Sequence, residues 1–332
     1  MELRALRLGD RAVLGEVYAV ECAATRHARD GWVPLDESAR VAAWQADTGW
    51  SHHLVGAVED GALIGFAVGS TGHDTPDTCW VDACVLPRAQ RRGVGTRLVR
   101  AAEQGSPAAV TRFVASAYLP TATATEELAR RFAEPLGYAR ASTETVVELD
   151  LAAADLPARR PPDGVTVATY LDGVPDHLRA QVGVLKGLVD AEAPSGDLGW
   201  EPTPVSEEDY LDEIALWRRQ GRTAIESVAV TADGAVAAWT CLVVGADPDR
   251  PAHVEGTLVL AQHRGAGLGR AVKVASLLAA REHGREHGGA TRVRTSSDDQ
   301  NVWMRAVNDE LGFVPVESEV VLQRACAEPG EP

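Results

Sequence analysis

Two glycine-bearing stretches are the most chemically legible part of the chain. Gln90-Arg91-Arg92-Gly93-Val94-Gly95-Thr96 follows a strand-like run and opens a helical one, and Arg264-Gly265-Ala266-Gly267-Leu268-Gly269-Arg270 does the same. Glycines let the backbone turn with its N–H groups pointing inward, and a helix start adds positive potential, so a pyrophosphate suits such a turn. Arg91, Arg92 and Arg264 offer charge-assisted bonds to it. One copy alone reads more readily as a glycine-rich turn without a ligand; two copies in matched context point to binding. Arg285-Glu286-His287-Gly288-Gly289-Ala290 fits the pattern loosely, but it follows a helix and is set aside. Position 270 is Arg, which breaks a Gly-x-Gly-x-x-Gly, and no Gly-Lys-Ser/Thr occurs, so dinucleotide-fold and P-loop readings fall away.

The elements that must position these turns repeat. Leu136-Gly137-Tyr138 reappears as Leu311-Gly312-Phe313 and Trp32-Val33-Pro34 as Trp200-Glu201-Pro202, at nearly the offset that separates the two glycine stretches. Three landmarks in step indicate a tandem duplication. Each half reads as a strand (Glu2 to Arg7; Val165 to Tyr170) and two helices (Arg11 to Ala24 and Asp36 to Thr48; Asp176 to Asp190 and Ser206 to Gln220). Three strands follow, ending in Thr78 to Leu86 and His253 to Leu260. Then come the helix at the glycines, a strand, a further helix (Thr125 to Glu134; Asn301 to Glu310) and terminal strands. Tyr210, Ile214 and Trp217 form a stripe at helical spacing behind a Ser206 cap, and Asp233-Gly234 marks a hairpin. The expected fold class is α/β (α+β), with two units, each a mixed, largely antiparallel sheet of six to seven strands flanked by about four helices. Pro157, Pro161 and Pro162 set a linker at 151–164 between a first domain at 1–150 and a second at 165–325, with a disordered tail at 326–332.

Composition narrows the function classes. The chain has 332 residues, 45% hydrophobic and 24% charged, with 48 Asp+Glu against 32 Lys+Arg and a net charge of −16. That acidic field disfavours nucleic acid and anionic membrane surfaces and favours cationic small molecules. Cys22, Cys79, Cys84, Cys241 and Cys326 are odd in number and scattered, which suits reduced thiols and no metal. With no apolar run at Met1-Glu2-Leu3-Arg4 and none of membrane-spanning length, a cytoplasmic location is expected. Only Lys186 and Lys273 are lysines, a bias that fits a GC-rich coding sequence.

Val85-Leu86-Pro87-Arg88-Ala89-Gln90-Arg91-Arg92-Gly93-Val94-Gly95 resembles the acyl-CoA pyrophosphate loop of the GNAT acyltransferase superfamily, and Asn301 through Leu311-Gly312-Phe313 resembles its later helix and closing Gly-Phe. The tandem arrangement is similar to that of mycothiol synthase and the two-domain GNAT proteins of actinobacteria. The resemblance implies direct acyl transfer, usually acetyl, from acetyl-CoA or another acyl-CoA to an amine of a small molecule, by a monomer or homodimer. It places the cofactor against Val85, Leu86, Gln90, Arg91, Arg92, Gly93, Val94, Gly95 and Thr96 in the first half. In the second it uses Leu258, Val259, Leu260, Arg264, Gly265, Ala266, Gly267, Leu268, Gly269 and Arg270, with backbone N–H on the strand polarising the thioester.

In many members the base is a Glu on that strand, at a position that is His253 here, with Glu255 two residues on. Strand alternation puts both on one face, so Glu255 is the expected base and His253 its helper or substitute. The first half has Cys79 and Val81 there, with Asp82 on the opposite face unless a bulge rotates it. Catalysis is therefore expected in the second half, while the first keeps a loop able to hold acyl-CoA as a structural ligand. The family's usual acid, a Tyr, is replaced by Asn308 and by Ala133; Asn308 and Asn301 are read as hydrogen-bonding partners of the CoA arm. The acidic stretch Asp190 to Glu201 offers Asp197 and Trp200 to a cationic acceptor. Trp303 is expected in the core. The alternative from another class is a tandem module that binds acyl-CoA without turnover.

Overall fold

The computed structural model describes residues 1–46, 49–157, 160–194, 198–199 and 201–326. The chain divides into two compact units, Met1–Glu144 with the stretch from Glu317 onward, and Thr145–Val316. The first unit holds β1 (Glu2–Ala5), α1 (Arg11–Ala28), α2 (Glu37–Gln45), β2 (Trp50–Glu59), β3 (Ala62–Gly72), β4 (Thr78–Val85), α3 (Val94–Gln104), β5 (Arg112–Leu119) and α4 (Ala122–Leu128). After β6 (Ala139–Asp150), the second holds β7 (Val165–Leu171), α5 (Asp176–Glu192), α6 (Glu207–Arg219), β8 (Arg222–Thr231), β9 (Val236–Gly245), β10 (Ala252–Val259), α7 (Leu268–His287), β11 (Arg292–Asp298) and α8 (Val302–Leu311). The last strand, β12 (Val314–Ala325), belongs from Glu317 to the first unit, where it runs antiparallel to β5 from Ser318 opposite Leu119 to Ala325 opposite Arg112. Each unit is thus the expected mixed sheet with four α-helices among the described residues.

Side chains at the helix starts explain where the helices begin. Asp10 accepts from the N–H groups of Ala12 and Val13, Asp36 from Ala39, and Ser206 from Asp209, caps of ~1 kcal/mol each. Strand order is β1-β2-β3-β4-β5-β12 in the first unit and β7-β8-β9-β10-β11-β6 in the second. In the first sheet the neighbours pair antiparallel except β4 with β5, which run parallel; in the second, β7 to β10 pair antiparallel and β10 runs parallel to β11. One face of the first sheet packs on α1 and α2 around Leu14, Val17, Trp44 and Phe66; the other packs on α3 around Leu98, Ala102 and Phe113. The second unit repeats this, with Tyr210, Ile214, Trp217 and Trp239 on the α5/α6 side and Leu242, Val254, Leu277 and Phe313 on the α7 side.

The parallel pairs matter most for function. β4 registers with β5 only from Thr78 to Trp80, and β10 with β11 only at Ala252 and His253; beyond those residues no pairing follows. Backbone groups on the downstream ends of β4 and β10 are therefore left facing an opening rather than a neighbour. The stretch after β6 packs on the second unit: Leu151 and Leu156 are buried in its core, and Arg281 and Arg270 donate to the carbonyls of Ala154 and Pro157. At the other end, the N–H of Cys326 donates to Thr111 at 2.7 Å; residues 327–332 lie outside the described residues. Two local expectations are corrected. The helix read at Thr125 to Glu134 is α4, followed by a π-type turn at Ala129–Ala133, and Trp303 is 84% exposed rather than in the core.

Candidate active site

Both glycine loops adopt the same conformation. A short 3₁₀ turn (Pro87–Ala89; Ala261–His263) leads into a left-handed residue that is Arg91 in one copy and Gly265 in the other, at φ 59° and 79°. Gly93 and Gly267 then cap α3 and α7 in the left-handed conformation, at φ 78° and 75°, with no side-chain cap. A β-carbon at either would meet nothing within 4 Å, so the space above each helix start is open. The N–H groups of the first helical turn lack backbone partners and point into that space. This cradle fits an anion of pyrophosphate size, and it places Val94, Gly95 and Thr96, or Leu268, Gly269 and Arg270, in the turn beneath it.

Arg264, Arg92 and Arg270 are engaged with groups of the protein itself. Arg264 donates through Nε to the carbonyl of Val259 at 3.2 Å and pairs with Glu192; Gln90 donates to the equivalent carbonyl of Val85 at 3.0 Å. Arg92 forms a two-pronged pair with Glu59 at 2.6 Å, and Arg270 is buried against Pro157 and Glu310. Gln90 and Arg264 thus tie loop to strand in both copies. The N–H of Leu260 is bonded to Ala237 and that of Leu86 to Ile64. Because bonding alternates along an antiparallel pair, the N–H groups of Val259 and Val85 point the other way, into the opening. Among Leu258, Val259 and Leu260, Val259 is the residue whose amide can polarise a thioester.

β10 differs from β4 by one residue. Its register with β9 shifts between Val254 and Gly256, which makes Glu255 a bulge. His253 lies opposite Val243, and Gly256 opposite Cys241, both in the α5/α6 core, so the bulge turns His253 and Glu255 toward that side. Glycine suits position 256, since a β-carbon would stand 3.0 Å from the Trp239 ring and crowd it. Both His253 and Glu255 are exposed. Surrounding protein mass holds the His253 imidazole below its ordinary value, with Glu255 acting against that and Arg222 reinforcing it. Arg222 approaches Glu255 at 3.8 Å.

Beneath this pair lies a buried polar cluster. Glu226 accepts from Tyr210 and from Trp239 Nε1 at 2.8 Å, while Tyr210 accepts from the N–H of Val174. Lys186 pairs with Glu213 at 2.5 Å and lies over the Tyr210, Trp217 and Trp239 rings. These bonds fix the floor on which His253 and Glu255 stand. In the first unit β4 pairs with β3 without a shift, so Cys79 and Val81 stay buried under α3. Asp82, opposite Val68, is exposed on the α1/α2 side, its carboxyl raised by desolvation and by Glu21, against the opposing pull of Arg40.

On the other side of the second sheet, Asn301 caps α8, its Oδ1 accepting from the N–H of Met304 at 3.1 Å. Asn308 is buried and accepts from Lys273 Nζ at 2.6 Å. Sequence reasoning passed over Lys273; the available signal was a lysine where nearly every other base is arginine. Asp197 and Trp200 lie outside the described residues, so the expected acceptor contacts have no structural counterpart here. Among the described residues no group of His, Cys, Asp or Glu is placed to hold a metal ion, and no helix is long and apolar enough to cross a membrane. All five cysteines are free.

The profile of the Acetyltransferase (GNAT) family matches residues 20–138 and 194–313, one match in each half. The chain belongs to the GNAT family. A curated relative, mycothiol acetyltransferase of Nocardia farcinica, is 29% identical over 90% of this chain and 91% of its own length. Among solved structures, a tandem GNAT protein from the clavulanic acid biosynthesis pathway superposes with a TM-score of 0.78 at 22% identity, covering 99% of both chains. A GCN5-related N-acetyltransferase from Sphaerobacter thermophilus gives 0.65 at 19% identity, covering 98% of this chain and 95% of that one. These two likenesses show a tandem GNAT fold, and the family as a whole is one of acetyltransferases.

Proposed function

We propose that this GNAT protein transfers an acyl group, most simply acetyl from acetyl-CoA, to a primary amine of a small molecule, and that the second unit performs the transfer. The observation that carries this reading is the β10 bulge, which sets Glu255 and His253 on the exposed α5/α6 side of the strand whose far end leads into the glycine loop. When bound, acetyl-CoA supplies the activated acyl group as a thioester. Glu255, with Arg222 beside it, takes the proton from the attacking amine, directly or through water, and His253, kept neutral by its surroundings, assists. The Val259 amide points to where the thioester carbonyl gains negative charge. The Gly267 cradle holds the pyrophosphate, and the like cradle at Gly93 holds a second acyl-CoA in the first unit, without turnover.

The acceptor is a cationic amine by the net charge of the chain, and the Nocardia relative makes a mycothiol precursor the first acceptor to try. Incubation with acetyl-CoA and a panel of that precursor, amino sugars and amino acids should release free thiol in step with an N-acetylated product seen by mass. Binding of acetyl-CoA with no acylated amine across the panel would favour the alternative, a module that binds without turnover, for which the missing Tyr at Asn308 argues.

A further inference from the structure

Lys273 is the most unusual titratable group in the second unit that the chemistry above does not use. It sits in the second turn of α7, 1% exposed, and its Nζ meets the Asn308 Oδ1 at 2.6 Å, the Met304 Sδ at 3.8 Å and the face of Phe313 at 5.2 Å from the ring centre. Asn308, Met304 and Phe313 come from α8 and the residue pair that closes it. No carboxylate contributes to its ionisation, and burial alone brings the ammonium down to about 7. The α7–α8 ion pair, Arg270 with Glu310 at 3.1 Å, engages a different residue of each helix. A buried amine with no counter-ion is costly, and a fold gains nothing structural from it that a leucine or methionine would not give. The other polar atom of the pair is also unspent: Asn308 Nδ2 is buried without a hydrogen-bond partner.

We infer that Lys273, held by Asn308, is the acid that protonates the departing thiolate of CoA in the second unit, in place of the tyrosine that this α8 position lacks. The inference rests on the acyl-transfer reading above. In the step, the amine nitrogen forms a bond to the acyl carbon and the carbon–sulfur bond breaks, its electron pair leaving on sulfur. The sulfur takes a proton from the Lys273 ammonium, which becomes a neutral amine, while Glu255 holds the proton lost by the acceptor. Exchange of both protons with solvent resets the site. Asn308 is a positioning residue: its carbonyl holds the ammonium at 2.6 Å, and its Nδ2 is a buried donor left without a partner. The first unit has Ala133 and, at the position matching Lys273, Val99, so it carries no such acid.

The test uses reduced CoA on the full chain and reads the ultraviolet absorbance of the thiolate alongside binding heat. Wild type should bind CoA with at least tenfold more thiolate at neutral pH than Lys273→Met, at similar affinity. Equal thiolate in two proteins that both bind CoA overturns the proposal alone. Wild type that takes up no CoA overturns the acyl-transfer reading and the proposal with it. Should Lys273→Met not fold, the wild type suffices, because only two lysines need resolving by nitrogen NMR. CoA, and not its desulfo analogue, should shift the Lys273 signal, and an equal response to both would overturn the assignment. On turnover, Lys273→Met should lower kcat with KM for acetyl-CoA kept, and Lys273→Met with Asn308→Tyr should regain part of it.

Discussion

β4 and β10 occupy equivalent places in two sheets of the same plan, lead into loops of the same conformation and part from their parallel neighbours after the same few residues. One inserted residue separates them. In β10 the bulge at Glu255 swings His253 and Glu255 out to the α5/α6 side, while in the straight β4 the matching Cys79 and Val81 stay buried under α3. Strand side chains alternate, so a single extra residue exchanges the two faces for everything on one side of it. On the proposed function, cofactor binding and catalysis can therefore diverge independently in a duplicated fold: the loop depends on glycine conformations, and the proposed base depends on strand register.

Substitutions can break or sharpen this contrast. The largest effect is expected from Glu255→Gln, which should cut kcat about 10²-fold or more with acetyl-CoA affinity little changed, whereas Asp82→Asn leaves turnover within about twofold. Comparable loss in Asp82→Asn would move catalysis to the straight strand. Next come Gly267→Glu and Gly93→Glu, each placing a carboxylate in its cradle and a side chain at a left-handed position. Titration calorimetry should show two acetyl-CoA sites in wild type and the loss of one in each variant, weakened about tenfold or more. Loss of all heat in Gly267→Glu alone would make the first unit a scaffold.

A third prediction concerns stability. Replacing Lys273 and Asn308 together by Met and Leu should raise the unfolding free energy by ~1–4 kcal/mol while abolishing turnover, since an uncompensated buried amine is exchanged for apolar contact. The sign follows from linkage. Between about 7 and the ordinary lysine value the unfolded chain binds the extra proton, so wild-type stability rises with pH across that window and the double variant loses the slope. The smallest effect belongs to the first unit. Burial, with Glu144 nearby, raises Glu319 to about 7, so there the folded state holds the proton. Stability should fall as pH climbs from the ordinary glutamate value toward 7, and Glu319→Gln should flatten that fall by ~1 kcal/mol in urea titrations at pH 6 and 8.

Much of the site was legible in residue order because it is local. The loops, their helix caps and the stripe of Tyr210, Ile214 and Trp217 depend on conformations fixed within a few residues, and the structure has each where the pattern puts it. His253 and Glu255 were nominated by resemblance and by alternation, yet alternation alone does not say which side of the sheet they face. Charge nominated Arg92 and Arg264 for an anion, whereas the carboxylates they pair with in the structure, Glu59 and Glu192, lie elsewhere in the chain and no local pattern announces them.

By itself, then, the sequence determined the duplication, the alternation of strands and helices, and the left-handed glycines of both loops, since these follow from short-range sterics and hydrophobic period. Only the tertiary structure decided three things: that the strand from Glu317 completes the first sheet, that β10 bulges at Glu255, and that Lys273 of α7 meets Asn308 of α8 out of contact with the surface. Each is a pairing between separate elements of the chain. Register and burial are set by which partner packs best, and no local pattern encodes the identity of that partner.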